Sequence, residues 1–396
     1  MMYHLEERGG RPVKSWNMVL LEKRALEDVK SASSGGNPGL EEAYRKLKES
    51  ADQSLLAGPF TVMNKSFVPS SGNKHDYVSM GPYWWPNPDT RDGLPYIRRD
   101  GERNPEIERF DSAALKQLED HVRKLALGYF LLEDERYAAH AVRLLRDWFV
   151  EPETRMNPHL NYGQMIPGIC EGRCIGLIET RYLGLLMDYI ALLVPSPSWN
   201  TGLEAGLLEW FNDYLHWLLN NPIALEEENW HNNHGTYYDV QTASLALHTG
   251  DRATAERLLK LAANRRFFSH IEPDGRQPHE LERTLSMSYS LMNLTGMFDL
   301  ARLGESAGLD LWHVQSSDGR SLRAAVDFLE PYCAGRKEWP YQQIKQAEPE
   351  RVFTLFRRAA NVYGDARYEL VAERAYEQGE GCSLLGLIYP AVRKPH

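Results

Sequence analysis

Cysteine is scarce: the 396-residue chain holds four, at Cys170, Cys174, Cys333 and Cys382. A dense disulfide framework is excluded, and the spacing matches neither a paired CxxC zinc pattern nor a redox motif. Cys170 and Cys174, one helical turn apart in GICEGRCIG, read either as small apolar side chains on a packed helix or as a reactive or metal-binding pair. Uninterrupted apolar runs of about 18 residues are also missing, so no membrane partner is expected. The opening MMYHLEERGGRPVKSW carries charges where a signal peptide has its apolar stretch. A soluble chain is expected, and since a removed signal leaves no trace, periplasmic, secreted and cytoplasmic locations all stay open. Basic residues are outnumbered, 45 Lys and Arg against 55 Asp and Glu. The resulting net charge of −10 argues against nucleic acid and anionic lipid as partners. An anionic ligand would have to find a local basic pocket.

Linkers are absent too: no Ser/Gly tract, charge block or low-complexity run interrupts the chain, so a single domain over 1–396 is expected, with Gly35-Gly36-Asn37-Pro38 only a break between helices. What fills the sequence is helical periodicity. Leu115, Leu118, Val122, Leu125 and Tyr129 fall three and four apart, placing one apolar stripe on one face. Similar patterns predict helices over 38–57, 134–149, 165–193, 203–220, 234–248, 252–268, 279–303, 321–334 and 350–361. Short breaks between them imply antiparallel hairpins, arranged as an open solenoid or a closed ring. Without a fixed-period repeat, an all-α incomplete (α/α) toroid is expected.

One segment breaks the rhythm. From Pro69 to Pro105 the chain is rich in Pro, Gly, Asn and Asp and carries Tyr77, Tyr83, Trp84, Trp85 and Tyr96, which forbids a long helix. It reads as a functional loop over a cleft or as a seal on one end of the helical array.

Three polar constellations accompany it. In ENWHNNHGTYYDVQ, the residues Asn229, His231, Asn232, Asn233, His234, Tyr237 and Tyr238 crowd ahead of an apolar helix, and so many hydrogen-bonding groups are costly to bury for packing alone. The bland alternative is a helix start capped by Asn side chains. His231 and His234 lack the HExxH context of a zinc helix, and no metal is expected. In IEPDGRQPHELERTLSMSYSLMNL, Pro278 suits a first helical position, with Glu280 and Glu282 in the first turn and Arg283 and Tyr289 following. In PHLNYGQMIPGICEGRCIG, the residues His159, Asn161, Tyr162, Gln164 and Arg173 line a cleft or a solvated loop.

Together NKHDYVSMGPYWWPNP, GLPYIRRDG, NYGQMIPGICEGR, the NNH at 232–234 and PDGRQPHELERTLSMSYS resemble, in order, the alginate-lyase-like polysaccharide lyases over roughly residues 60–345. The resemblance implies an α/α toroid and β-elimination on a 1,4-linked polyuronate, with an anionic polysaccharide as partner and no cofactor. Matched motif by motif, it places the catalytic tyrosine at Tyr289 and the carboxylate-neutralising residues at Asn233, His234 and Arg283. Substrate-binding positions are expected at His75, Tyr77, Trp84, Trp85, Gln164, Arg173, His231, Tyr238 and Glu282. The Arg283–Tyr289 separation looks like that of the glucuronan-lyase branch, one residue shorter than expected of the alginate-specific branch.

The chemistry fits these residue types. Removing the C5 proton beside an ionised carboxylate requires donors that hold the carboxylate and take up the enolate-like charge, each worth about 3 kcal/mol. A phenol starts near a pKa of about 10 and needs nearby positive charge to act as base, unless His234 takes that role. In glucuronate and mannuronate the C5 proton and C4 oxygen lie on one side of the ring, so one tyrosine can serve both; no metal is required. On an ideal helix, however, six positions put Arg283 and Tyr289 about 120° apart. Either Arg283 sits in an irregular turn, or another residue builds the clamp; Glu282 falls on the face of Tyr289 as an orienter. The rival readings are an inverting glycoside hydrolase using Asp239, Glu280 or Glu282, and a non-catalytic helical carbohydrate-binding protein.

Overall fold

A computed structural model describes residues 16–32 and 38–391. The opening stretch through residue 15 and the break at 35–37 lie outside the described residues. Among those described, the helices are α1 Lys23–Ala32, α2 Pro38–Ser54, α3 Asp111–Leu132, α4 Glu135–Phe149, α5 Leu183–Leu193, α6 Thr201–Asn220, α7 Pro222–Glu228 and α8 Asn233–Thr249. They continue with α9 Arg252–Ala262, α10 Phe268–His270, α11 Pro278–Leu281, α12 Ser286–Ser306, α13 Leu322–Cys333, α14 Pro349–Tyr363, α15 Ala366–Gln378 and α16 Cys382–Ile388.

Helices α3, α5, α8, α12 and α14 pack side by side in that order, while α2, α4, α6, α9, α13 and α15 cover them from outside. Helices α3, α8, α12 and α14 are each followed by an outer helix that packs on them, while α6, which follows α5, packs on α8. The last helix, α16, packs on both α2 and α14, bringing the end of the chain against its beginning. The architecture is an α/α toroid. Its inner ring is made by helices apolar around most of their circumference: α8 buries almost every side chain from Asn233 to Ala246. The stripe read from sequence on α3 is buried at Leu115, Leu118, Val122 and Leu125.

Departures from the predicted helices have local causes. The pattern over 165–193 becomes a helix only at Leu183. Ahead of it, Tyr162–Met165 (β4) pairs in parallel with Val78–Met80 (β1). The chain at 172–176 then runs so close to 161–163 that a Cβ on Gly172 would sit 2.0 Å from the Asn161 carbonyl oxygen. The pattern over 279–303 is split, with α11 and α12 separated at residues 282–285. Trp84–Trp85 (β2) pairs antiparallel with Ile97–Arg98 (β3), so the aromatic segment is a hairpin. Helices α1, α7, α15 and α16 were not anticipated; they are short or strongly polar.

A single buried carboxylate pins the start of the described chain to the inner ring. Asp188 on α5 accepts the backbone N–H groups of Val19, Leu20 and Leu21 at 2.9, 2.8 and 2.6 Å and meets His248 on α8 at 3.1 Å. It is fully buried. Replacing Asp188 with Ala leaves three amides without an acceptor and costs about 3 kcal/mol or more; chemical denaturation will show the loss, while the folded fraction keeps its specific activity.

Candidate active site

The site assembles around the starts of α8 and α12. Asn232 caps α8, its side-chain oxygen accepting the His234 N–H at 3.0 Å, so the capping role anticipated for this Asn-rich stretch is real. The cap places Asn233 and His234 in the first turn. Asn233 is buried; its backbone N–H and its Nδ2 both donate to Glu280 of α11, at 2.7 Å and at 2.8 and 3.1 Å. His234 Nδ1 lies 2.7 Å from Glu227 Oε1, a carboxylate only 1% exposed, so the imidazole is oriented from behind.

The chain leaves α11 after Leu281, and Arg283, three residues beyond Glu280, occupies the irregular segment before α12. The helical angle that separates Arg283 from Tyr289 therefore does not apply. Arg283 donates through Nη2 to the Tyr289 hydroxyl at 3.0 Å and lays its guanidinium over the ring at 3.9 Å. The same guanidinium is anchored by Asp100 of the hairpin loop, at 2.8 and 3.2 Å. Burial alone would raise the Asp100 carboxyl, but the hydrogen bonds from Arg283 and Thr284 hold it far below the usual range. Tyr83, from the same hairpin, places its hydroxyl 2.8 Å from that of Tyr289. Burial, with Tyr83 adding to it, pushes the Tyr289 phenol well above the ordinary tyrosine value; Arg283 opposes the shift without cancelling it.

The contacts close into a circuit. Trp84 follows Tyr83 and lies under the Arg173 guanidinium at 5.7 Å. Arg173 is bound to Gln164 through its carbonyl and side-chain oxygens at 3.0 and 2.9 Å. Gln164 is held at a positive φ of 49°, a strained conformation that aims both oxygens at the same guanidinium. Cys174, next to Arg173, accepts from Trp230 Nε1 at 3.1 Å, and Trp230 packs against His234. Tyr289, Arg283, Asn233, His234, Trp84, Gln164 and Arg173 thus border one region, with Glu280 within electrostatic reach of both Arg283 and His234.

Several expected positions lie elsewhere. Tyr77 is fully buried and donates to Glu179 at 2.9 Å, and Tyr238 is buried with its hydroxyl on the Leu218 carbonyl. Neither ring is accessible to a polymer. His75 binds the Arg155 carbonyl at 2.6 Å and braces a loop. Trp85 is half-buried, its Nε1 on the Glu102 carbonyl and Arg99 over its ring. His231 is exposed at the rim against His279, with ring centroids 4.3 Å apart. Glu282 is exposed in the turn between α11 and α12 and so does not orient Tyr289. That function falls to Asp100, which acts through Arg283; Asp100, Tyr83 and Glu227 were not singled out for the site. Their link to it spans 183, 206 and 7 positions of sequence respectively, and only the last was within reach of local pattern. Among the described residues, no three His, Cys, Asp or Glu side chains gather into a metal-holding group, and Cys174 is a buried thiol pushed up to about 12, chiefly by burial.

Fold and sequence together define a class, the polysaccharide lyases. Residues 61–339 match the family described as alginate lyase, and the chain belongs to that family. It is similar to an alginate lyase from Bacteroides ovatus, at 39% identity and a TM-score of 0.90, with 95% of this chain and 100% of that one covered. More distant likenesses, at 14% identity, show the fold. Alginate lyase A1-III from Sphingomonas species A1 has a TM-score of 0.57, with 92% and 99% covered. A variant of A1-III complexed with tetrasaccharide has a TM-score of 0.62, with 98% and 100% covered. No curated protein sequence matches the chain. The protein is a polysaccharide lyase, which sets aside the hydrolase and the non-catalytic binding protein. The carboxylates proposed for hydrolysis are committed elsewhere: Asp239 is paired with Arg266 at 2.7 Å, and Glu280 holds Asn233. No helix among the described residues is long and apolar enough to cross a membrane.

Glu280 yields a pH signature. Burial raises its carboxyl to about 7, against the pull of the Asn233 hydrogen bonds, so the folded chain binds a proton that the unfolded chain releases near 4.5. Its contribution to stability therefore falls as pH rises from about 4.5 through about 7, by about 3 kcal/mol at most. Urea titrations across this range should show Glu280→Gln with a correspondingly flatter dependence than the parent.

Proposed function

We propose that the chain cleaves a 1,4-linked polyuronate, glucuronan or mannuronate-rich alginate, by syn β-elimination, leaving a 4,5-unsaturated uronate at the new end. The observation that carries this is the Tyr289 hydroxyl held between Tyr83 and Arg283, beside the Glu280-tethered Asn233. Nη1 of Arg283 supplies the donor for the C5 carboxylate at the border that Asn233 and His234 complete, and the guanidinium stabilises the charge that grows as the C5 proton leaves. Trp84, Arg173 and Gln164 form the wall along which neighbouring sugars lie.

Tyr289 donates its proton to the C4 oxygen. A phenol raised by burial is a weak base but remains protonated until a leaving alkoxide needs it. The Glu227 contact favours His234 as the base: with Nδ1–H given to the carboxylate, Nε2 keeps a lone pair. The C5 proton passes to Nε2, its electron pair forms the C4–C5 double bond, the C4–O bond breaks, and the departing oxygen takes the Tyr289 proton. Proton return from His234 to Tyr289 resets the site.

The test is ultraviolet absorbance of the conjugated double bond with glucuronan, polymannuronate and polyguluronate. Turnover of the first two should exceed that of polyguluronate, whose C5 proton and C4 oxygen lie on opposite faces. Tyr289→Phe and His234→Ala should each lower kcat at least a hundredfold, about 3 kcal/mol of barrier, with an unchanged melting temperature. Full activity in both variants would refute the assignment. Glu227→Gln should lower kcat about tenfold or more and displace the pH profile, whereas a purely structural Glu227 would leave that profile in place.

A further inference from the structure

Beneath the catalytic circuit lies a chamber that the elimination does not use. It has a volume of about 1020 Å³ and is lined by the inner helices α3, α5, α8, α12 and α14 and by α2 and α16. Tyr237 and Met292 border it, three positions beyond His234 and Tyr289 on the same helices. The Tyr237 hydroxyl donates to the Met292 carbonyl at 3.1 Å, so a bridge between α8 and α12 stands between chamber and site.

Seven acidic and seven basic side chains line this space, Glu49, Asp120, Glu350 and Glu380 among the acids, but they are not all paired with one another. Arg351 is bound to Glu348 at 2.7 Å and Arg358 to Asp299 at 2.7 Å. Arg181, just before α5, meets no carboxylate within salt-bridge distance among the described residues. Its Nη1 donates to the Ile178 carbonyl at 2.7 Å, its guanidinium lies 4.3 Å over the Tyr182 ring, and its Nε is buried without a partner. Arg351 is close enough to Arg181 to disfavour its charge. Both act on Tyr182, Arg181 more strongly, and hold its phenol below the ordinary tyrosine value although burial opposes them. Glu119 faces the same space with Oε1 buried and unpartnered. Burial pushes its carboxyl up to about 8 despite Arg181 and Lys116, so at neutral pH it carries a proton to donate rather than a charge to repel. Two neighbouring guanidiniums, one without an acid, beside a protonated carboxyl and a phenol, form a cradle for an anion.

We propose that this chamber is a second binding site that takes a free hexuronate, its carboxylate between Arg181 and Arg351 and its hydroxyls on Glu119 and Tyr182. The carboxylate class follows from the cradle; that the anion is a uronate rests on the polyuronate reading of the neighbouring site. A chamber of this size has ample room for a released sugar or a short chain end.

The experiment is calorimetric titration of the full chain bearing Tyr289→Phe with sodium glucuronate, with glucose and sodium acetate as controls, alongside crystals soaked in glucuronate. Saturable glucuronate binding, at least tenfold tighter than glucose and weakened at least tenfold by Arg181→Gln or Arg351→Gln, is expected, with density between the two arginines. Acetate binding that equals glucuronate would overturn the sugar assignment. Absence of saturable binding, indifference to both substitutions, or density at the catalytic circuit only would overturn the site. Should either Arg variant fail to fold, Tyr182→Phe and the soaked parent crystal carry the decision, threefold or greater weakening and chamber density being the supporting outcome. The absorbance assay on intact polymer is independent: double-bond formation without chamber binding leaves the lyase reading standing, and chamber binding without double-bond formation removes that reading alone.

Discussion

The site depends on one buried carboxylate. Glu280 accepts both the backbone N–H and the side-chain amide of Asn233, tying the first turn of α8 to the segment that carries Arg283. Free N–H groups at a helix start attract an anion, and a glutamate from a neighbouring helix supplies it. The same carboxylate fixes the Asn233 amide, one residue before α11 ends at Leu281. Without it, the Asn–His pair and the Arg–Tyr pair would be features of two helices with no fixed relation. Burying an acid for this purpose is costly in isolation, and the three bonds from Asn233 offset part of that cost.

The hairpin supplies the second half of the constraint. Asp100 holds Arg283 and Thr284, and Tyr83 meets Tyr289, so a loop from early in the chain closes on residues 183 to 206 positions later. Pro and Gly in this segment rule out a helix, while the short pairing of Trp84–Trp85 with Ile97–Arg98 gives it a defined shape. The aromatic residues do not all serve one end. Tyr83 and Trp84 reach the site, Tyr77 seals the core, and Trp85 braces the hairpin.

Periodicity made most of the toroid legible, because each inner or outer helix must bury a stripe and so must repeat at three and four. It misplaced the stretches where backbone approach overrode it, as at Gly172 and in the split after Leu281. Residue chemistry brought Tyr289, Arg283, Asn233 and His234 into view, since clustered amides, imidazoles and guanidiniums rarely serve packing. It also overreached: Tyr238 shares those motifs, yet its ring lies in the core. Accessibility depends on which face a helix turns inward and on where it breaks, and neither is set by the motif itself. Asp100 was hidden for the opposite reason, as its partner is remote and an Asp-Gly pair in a loop looks like a turn.

The split after Leu281 also resolves how one arginine serves two masters. A guanidinium on the ideal helix would have to choose between reaching Tyr289 and facing the substrate. In the irregular segment its Nε and Nη2 are taken by Asp100 and the phenol, and Nη1 is the nitrogen left for a carboxylate. The cation is thereby oriented before any ligand arrives, so binding need not reorganise it. A bound carboxylate would add negative charge beside a phenol already pushed up by burial and by Tyr83, moving it further from ionisation. In the elimination proposed above, Tyr289 therefore serves as the acid, holding its proton until the C4 bond opens.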